Sequence, residues 1–184
     1  MELYCRRVSI FDEALMEEFS QEHLNYGTTI LGGDASLISG KSYHDYKNFY
    51  EWFKEVSRLD LEENLKKSEV GCSVFLVFKK STEQLVGIFD IRHSLDYPNG
   101  NLLGHIGVDV RPKLRGHGYY QDILELCIEE CQKFLILSIV ISCEYDNIAS
   151  KRGIEHLFEI DREMVLCDGT YLYTYKLDIE SEEE

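Results

Sequence analysis

The chain has 184 residues, 44% of them hydrophobic and 29% charged, with a formal net charge of −15. That balance predicts one soluble globular domain with a sizeable core and excludes a disordered chain. It also excludes a general nucleic-acid-binding face, which needs clustered cations, and favours a cationic small molecule or peptide as partner.

In chain order, "MELYCRRVSIFDEALMEEF" turns acidic where a secretory segment would be apolar, so a cytoplasmic location is expected. Within it, "SIFDEALMEEFSQEHL" predicts a first helix with Ser9 as N-cap and Phe11, Leu15 and Phe19 on one face. The glycine-rich "NYGTTILGGDASLISGK" reads as irregular. "SYHDYKNFYEWFKEVSRLDLEENL" returns to helical spacing through Tyr46, Phe49, Tyr50, Phe53 and Val56. Aromatics at that spacing read as core ahead of a substrate wall.

"CSVFLVF" and "LVGIFDI", separated by the polar "KKSTEQ", predict a β-hairpin, and "NLLGHIGVDV" a third strand beside it. A helix is expected from about His117 to Phe134, with Tyr120, Ile123, Leu124, Cys127, Cys131 and Phe134 as its apolar stripe. "ILSIVIS" reads as a strand covered on both faces, "NIASKRGIEHL" as a short helix, and "REMVLCDGTYLYTYKL" as a hairpin around Asp168-Gly169. Edge pairing of its "YLYTYKL" strand would make a homodimer. The sum is a mixed α/β fold. Residues 1–177 form one domain in this reading and 178–184, "DIESEEE", an acidic tail. The longest apolar run, "FLILSIVISC", is too short to span a bilayer, so no membrane contact is expected. The six cysteines lack metal-ligand spacing and read as reduced, mostly buried thiols, with no metal site.

"RPKLRGHGYYQDIL" stands apart, because Arg111, Lys113 and Arg115 crowd into an acidic chain just before a helix. A glycine-rich turn between strand and helix leaves backbone N–H groups unpaired at the positive end of a helix dipole. Gly116 and Gly118 allow close approach and positive φ, and Arg115 adds a charged contact, so the stretch predicts a phosphate site. Two rival motifs are weaker. "ASLISGKS" carries Gly40-Lys41-Ser42 of a P-loop but has Ala35 for the first glycine, and Gln121 denies a third glycine to a dinucleotide fingerprint.

"GHIGVDVRPKLRGHGYYQDILELCIEEC" followed by "ILSIVISCEYDNIASKR" resembles the GNAT superfamily of N-acetyltransferases. The family's Q/R-x-x-G-x-G/A loop is matched at Arg115, Gly116 and Gly118, with Tyr120 where the motif ends in Gly or Ala. The resemblance covers about residues 70 to 157 and is greatest to a bacterial branch with unassigned acceptors. It implies a mostly antiparallel central sheet splayed at a bulged strand and flanked by helices. It also implies acetyl-CoA as donor substrate and direct transfer to a primary amine of a small molecule or peptide. Backbone N–H groups of Arg115, Gly116, His117, Gly118, Tyr119 and Tyr120 would hold the pyrophosphate. A bulge near Val108, Asp109 and Val110 would offer donors to the pantetheine arm and acetyl oxygen, and Asn147 and Ser150 would touch the cofactor from the next helix.

The resemblance puts His105 where many members carry a glutamate, which makes it the candidate general base, ahead of Asp90 and His93. The tyrosine that commonly protonates the departing thiolate is replaced by Ile154, which leaves His156 or Tyr120 as substitutes. An acetyl-CoA-binding module with little turnover is therefore the alternative, and a phosphotransferase using "SGKS" a third reading.

Overall fold

A computed structural model describes residues 2–166 and 168–179. Among the described residues, seven strands form two antiparallel sheets. The first, in order β1-β2-β3-β4, contains β1 (Leu3–Arg7), β2 (Cys72–Lys79), β3 (Leu85–Arg92) and β4 (Ile106–Val110). The second, in order β5-β7-β6, contains β5 (Ser138–Glu144), β6 (Glu159–Val165) and β7 (Tyr171–Asp178). The helices are α1 (Glu13–Asn25), α2 (Ser36–Ser39), α3 (Phe49–Leu59), α4 (Gly100–Leu103), α5 (Tyr119–Lys133) and α6 (Ile148–Ile154). The mixed α/β class read from the pattern is the class observed.

β2 and β3 are buried almost throughout because helices cover both faces of the first sheet. On one side Met16 and Phe19 of α1 and Phe49, Trp52, Val56 and Leu59 of α3 pack with Val74, Leu76 and Ile88. On the other, Ile123, Leu124, Cys127 and Cys131 of α5 pack with Phe75, Val77, Phe89 and Ile91, and this core continues under β5 and β7. Each large side chain so buried is worth about 1.5–3 kcal/mol. Burial raises the thiol pKa of Cys127 and Cys72, keeping them as inert packing groups, while Cys167 lies outside the described residues.

Several sequence expectations need correction. β1 was not anticipated, since its two arginines mask the strand pattern; Arg6 instead reaches Asp12 at 2.6 Å and Arg7 pairs with Phe75 in the ladder. Asp12 also accepts the Ser9 N–H at 2.7 Å, so Ser9 sits in a turn and α1 begins four residues later. Phe11 is consequently 92% exposed. On α3 the buried stripe is Phe49, Trp52, Val56 and Leu59, whereas Tyr50 faces solvent and bonds to Glu13. β7 is the middle strand of its sheet, so "YLYTYKL" has no open edge for a partner; the outer strands are β5 and β6. Strand β7 extends through Asp178, and residues 180–184 of the acidic tail lie outside the described residues.

The two sheets meet at one place. Gly104 and Ile141 form an isolated bridge, and the His105 N–H donates to Val140 O at 2.7 Å. Beyond it β4 runs on alone along that edge. Its pairing with β3 stays in unbroken register from Gly87↔Val110 to Ile91↔Ile106, so the expected bulge near Val108–Val110 does not interrupt that ladder. The splay arises because β4 and β5 part after the bridge.

Candidate functional site

The parting strands leave a cleft of about 730 Å³ between the free edge of β4, the loop before α5, the first turn of α5, and α6. Val108, Asp109, Val110, Arg115, Gly116, Gly118, Tyr119, Tyr120, Asn147 and Ser150 all line it. The sequence-derived positions thus converge on one concavity, His117 and His105 excepted. Thr28, Arg152, Gly153 and His156 join them. Thr28 lay in a stretch without pattern, and only the three-dimensional return of the loop after α1 brings it here.

The loop has the backbone its glycines predict, with Gly116 at φ +79° and Gly118 at φ +84°. A Cβ at either would meet nothing within 4 Å, so the glycines serve conformation and leave the mouth open. Gly118 occupies the N-cap position of α5 with no side-chain cap. Among the described residues, none accepts a hydrogen bond from the N–H of Gly116, His117 or Gly118. Donors at a helix start, facing a cleft, form an anion cradle. His117 is exposed and its Nδ1 lies 3.0 Å from Arg115 O, which steadies the loop from outside.

The cations are mostly committed elsewhere. Arg111 is buried, with its Nε 2.8 Å from Glu22 Oε2 and a second contact to Glu18. Lys113 adds its backbone N–H to Glu22 Oε1 at 2.9 Å and its ammonium beside Oε2 at 3.4 Å. Both therefore clamp α1 to the segment following β4, where a phosphate contact had been expected from the cluster. Arg115 alone of the three faces the cleft, tethered to Val110 O at 3.1 Å and Asp109 Oδ1 at 3.0 Å.

His105 does not suit the role of general base. It is buried, and its Nδ1 accepts the Val140 N–H at 3.0 Å, which leaves the proton on the other nitrogen and no free basic site. Burial, reinforced by Arg92, lowers its pKa to about 4. Asp90 is buried between the Ala35 N–H and Arg92, and His93 bonds Ser73 and stacks on Phe134, so both are structural. The His105→Ala variant is expected to keep the shape of the pH–rate profile between about pH 5.5 and 7.5. It should lose about 1–3 kcal/mol of stability, because the Val140 N–H is left unpaired. A rising limb that vanishes in the variant would restore the base assignment. Because the folded pKa is depressed, the stability His105 contributes is present above its unfolded value near 6.5 and is lost as pH falls toward about 4.

Tyr120 fits without crowding because position 153 is glycine; a Cβ there would lie 2.5 Å from the tyrosine ring. Burial raises the phenol pKa, so it stays protonated, with the Ser150 hydroxyl beside its oxygen. Asn147 caps α6 by accepting the Ser150 N–H at 3.2 Å. Ile154 is fully buried in the core, so nothing at that position can donate a proton. "SGKS" follows the short α2 instead of a strand, and Ser42 closes a capping box with Asp45, which removes the structural context of a P-loop. Among the described residues no cluster of His, Cys, Asp and Glu could hold a metal ion, and no helix is long and apolar enough to cross a membrane.

Residues 13–157 match the family model described as an acetyltransferase (GNAT) domain. No curated protein matches the sequence. Among solved structures, the chain is similar to yncA from Salmonella typhimurium, solved with its cofactor acetyl-CoA. The TM-score is 0.63 at 17% identity, over 100% of this chain and 98% of that one. It is also similar to a ribosomal-protein-S5-alanine acetyltransferase from Vibrio fischeri, with TM-score 0.66, 13% identity, and 100% and 97% coverage. A spermidine N-acetyltransferase from Vibrio cholerae gives TM-score 0.63 at 12% identity, over 95% and 94% of the two chains.

Proposed function

The chain belongs to the GNAT family of acetyltransferases, and on that premise we propose that it transfers an acetyl group from acetyl-CoA to a primary amine of a small molecule or peptide. The observation that carries this reading is the open N-terminus of α5, where Gly116 and Gly118 line a cleft along the unpaired edge of β4 and no described residue accepts from the N–H groups of Gly116, His117 or Gly118. Those donors suit a pyrophosphate, and the edge of Val108–Val110 offers backbone groups to an extended arm and to the oxygen of an acetyl carbonyl. Asn147 and Ser150 close the far wall.

In direct transfer within a ternary complex the amine nitrogen bonds to the acetyl carbon, the C–S bond breaks, the amine sheds a proton and the thiolate gains one. Tyr120, protonated and in the cleft, and His156 are the groups placed to serve the leaving side. The acidic body suits a cationic acceptor, and amines are what the spermidine enzyme acts on by its name. We place the protein in the cytoplasm. An acetyl-CoA-binding module with little turnover is the second reading, favoured by buried Ile154 and by the engaged nitrogen of His105.

Calorimetric titration of acetyl-CoA into the full chain, followed by thiol release with a panel of amines, tests both. Saturable binding with turnover supports the transferase. Binding without turnover on any amine supports the module, and no binding at millimolar concentration overturns both.

A further inference from the structure

Arg92, the last residue of β3, is buried beside the bridge that joins the two sheets. Three consecutive carbonyls there accept from it. Its backbone N–H donates to His105 O at 2.8 Å, and its Nη1 donates to Gly104 O at 3.1 Å and to Leu103 O at 3.3 Å. From the second sheet, the Ser142 hydroxyl of β5 donates to the same Leu103 O at 3.3 Å. The Tyr97 hydroxyl supplies a second donor to Gly104 O. Position 104 must be glycine, since its φ is +76° and a Cβ would lie 2.3 Å from Val140 O.

A guanidinium is a costly occupant for that place, because a charge is taken out of water. Its Nε has no hydrogen-bond partner among the described residues. What the guanidinium supplies, and an apolar side chain would not, is donors that reach past the end of β3 to carbonyls outside the ladder. Its Nη2 lies 3.0 Å from Asp90 Oδ1, and Asp90 Oδ2 accepts the Ala35 N–H at 3.0 Å. Gly107 of β4 lies against this pair; a Cβ at 107 would be 2.7 Å from Arg92 Nη2. The cation is thus wedged under the root of β4, immediately before the Val108–Val110 edge that lines the cleft.

We propose that Arg92 is a positioning residue of the transfer site. By holding the carbonyls of Leu103, Gly104 and His105 it sets where β4 leaves β5, and with that the place of the β4 edge in the cleft. The thioester end of the donor would lie along that edge, whereas the pyrophosphate cradle is at the start of α5. Loosening the junction therefore misplaces the reacting carbon and leaves the cradle intact. The effect on transfer rests on the transferase reading; the hold on the junction does not.

Amide hydrogen exchange and kinetics test the two separately. Arg92→Lys keeps a cation, but one nitrogen cannot face Asp90 and both carbonyls at once. Tyr97→Phe removes one donor to Gly104 O and leaves the ion pair in place. In the ligand-free full chain, exchange of the His105 and Val140 N–H groups should quicken at least about tenfold in Arg92→Lys, relative to the amides of the β2–β3 ladder. The same two amides should respond in Tyr97→Phe, by less. A uniform change in both sets of amides, as from lost global stability alone, overturns the hold. In turnover, Arg92→Lys should lower kcat at least about tenfold while the acetyl-CoA Kd changes by less than about twofold. An unchanged kcat, or a Kd weakened in proportion, overturns the positioning role. Should Arg92→Lys fail to fold, Tyr97→Phe decides by the same two readouts. If the wild-type chain does not bind acetyl-CoA, the transferase reading fails, while the exchange pattern still decides whether Arg92 holds the junction.

Discussion

Replacing Gly118 with Asp is expected to weaken acetyl-CoA binding by at least about a hundredfold while leaving the fold intact. The fold survives because a side chain at 118 enters open space; its Cβ would meet nothing within 4 Å. The backbone at φ +84° costs a non-glycine residue about 1 kcal/mol, and Asp and Asn tolerate that region better than most. The larger effect is electrostatic, since a carboxylate at the N-cap of α5 occupies the N–H donors that a pyrophosphate would use and repels its charge. Gly118→Asn separates the two terms. It has nearly the same shape and the same backbone strain without the charge, and should lose less than about tenfold by calorimetry. Equal losses in the two variants would mean that conformation, not charge, governs the cradle. Unchanged binding in both would remove the α5 N-terminus from the site.

Arg111→Ala should be the most destabilising change in the segment that first drew attention to this chain. It strips the buried Glu22 carboxylate of its guanidinium and leaves it with Lys113, whose side chain is mostly solvent-exposed. Removing one partner of a buried pair costs about 3–5 kcal/mol. For a chain of this size that is a fall in Tm of roughly 6–20 °C. Burial alone would raise the Glu22 pKa, but the Lys113 N–H and the Arg111 guanidinium outweigh it and the net shift is downward. The contribution of Glu22 is therefore present above the unfolded carboxylate range near 4.3 and is lost as pH falls through the lower folded value. The Arg111→Ala melting curve should accordingly approach the wild-type curve in acid. The double variant Arg111→Met, Glu22→Met should recover much of the loss at neutral pH, because two apolar groups leave no buried charge unpaired. A single variant that melts within about 2 °C of wild type would show that the clamp is dispensable.

Much of the chain from residue 72 onward was legible because its elements are strongly patterned. The 72–92 hairpin, the strand at 138–144 and the amphipathic α5 each carry their own period, and the glycines at 116 and 118 mark a turn that only certain conformations satisfy. The segment before residue 72 was less legible because side-chain ion pairs override local signals there. Asp12, engaged by Arg6 and the Ser9 N–H, shifts the helix start, and the buried Glu22 and His23 sit where a periodic reading expects apolar residues. Glu22 and His23 meet Arg111 and Asp109, about ninety residues away just beyond β4 and on it, a distance over which sequence spacing carries no information. For the same reason the cations of "RPKLRGHG" could be read as phosphate ligands when two of them belong to α1. His105 misled differently. It falls at the bend just before β4, and the use of its nitrogen depends on Val140 of a strand more than thirty residues on.

The seam between the sheets has a mechanical consequence. Among the described residues every strand ladder lies wholly within one sheet, and a single bridge at Gly104 and Ile141, with the neighbouring bonds of His105 and Val140, fastens one sheet to the other. Prising the far ends of β4 and β5 further apart breaks no ladder bond, so the mouth can change its gape at the cost of side-chain contacts alone, pivoting about those few residues as covers turn about a spine. Helix α5, packed against β4 on one flank and α6 on the other, ties the two sides together and limits the travel. Compliance is thereby concentrated along the unpaired edge of β4.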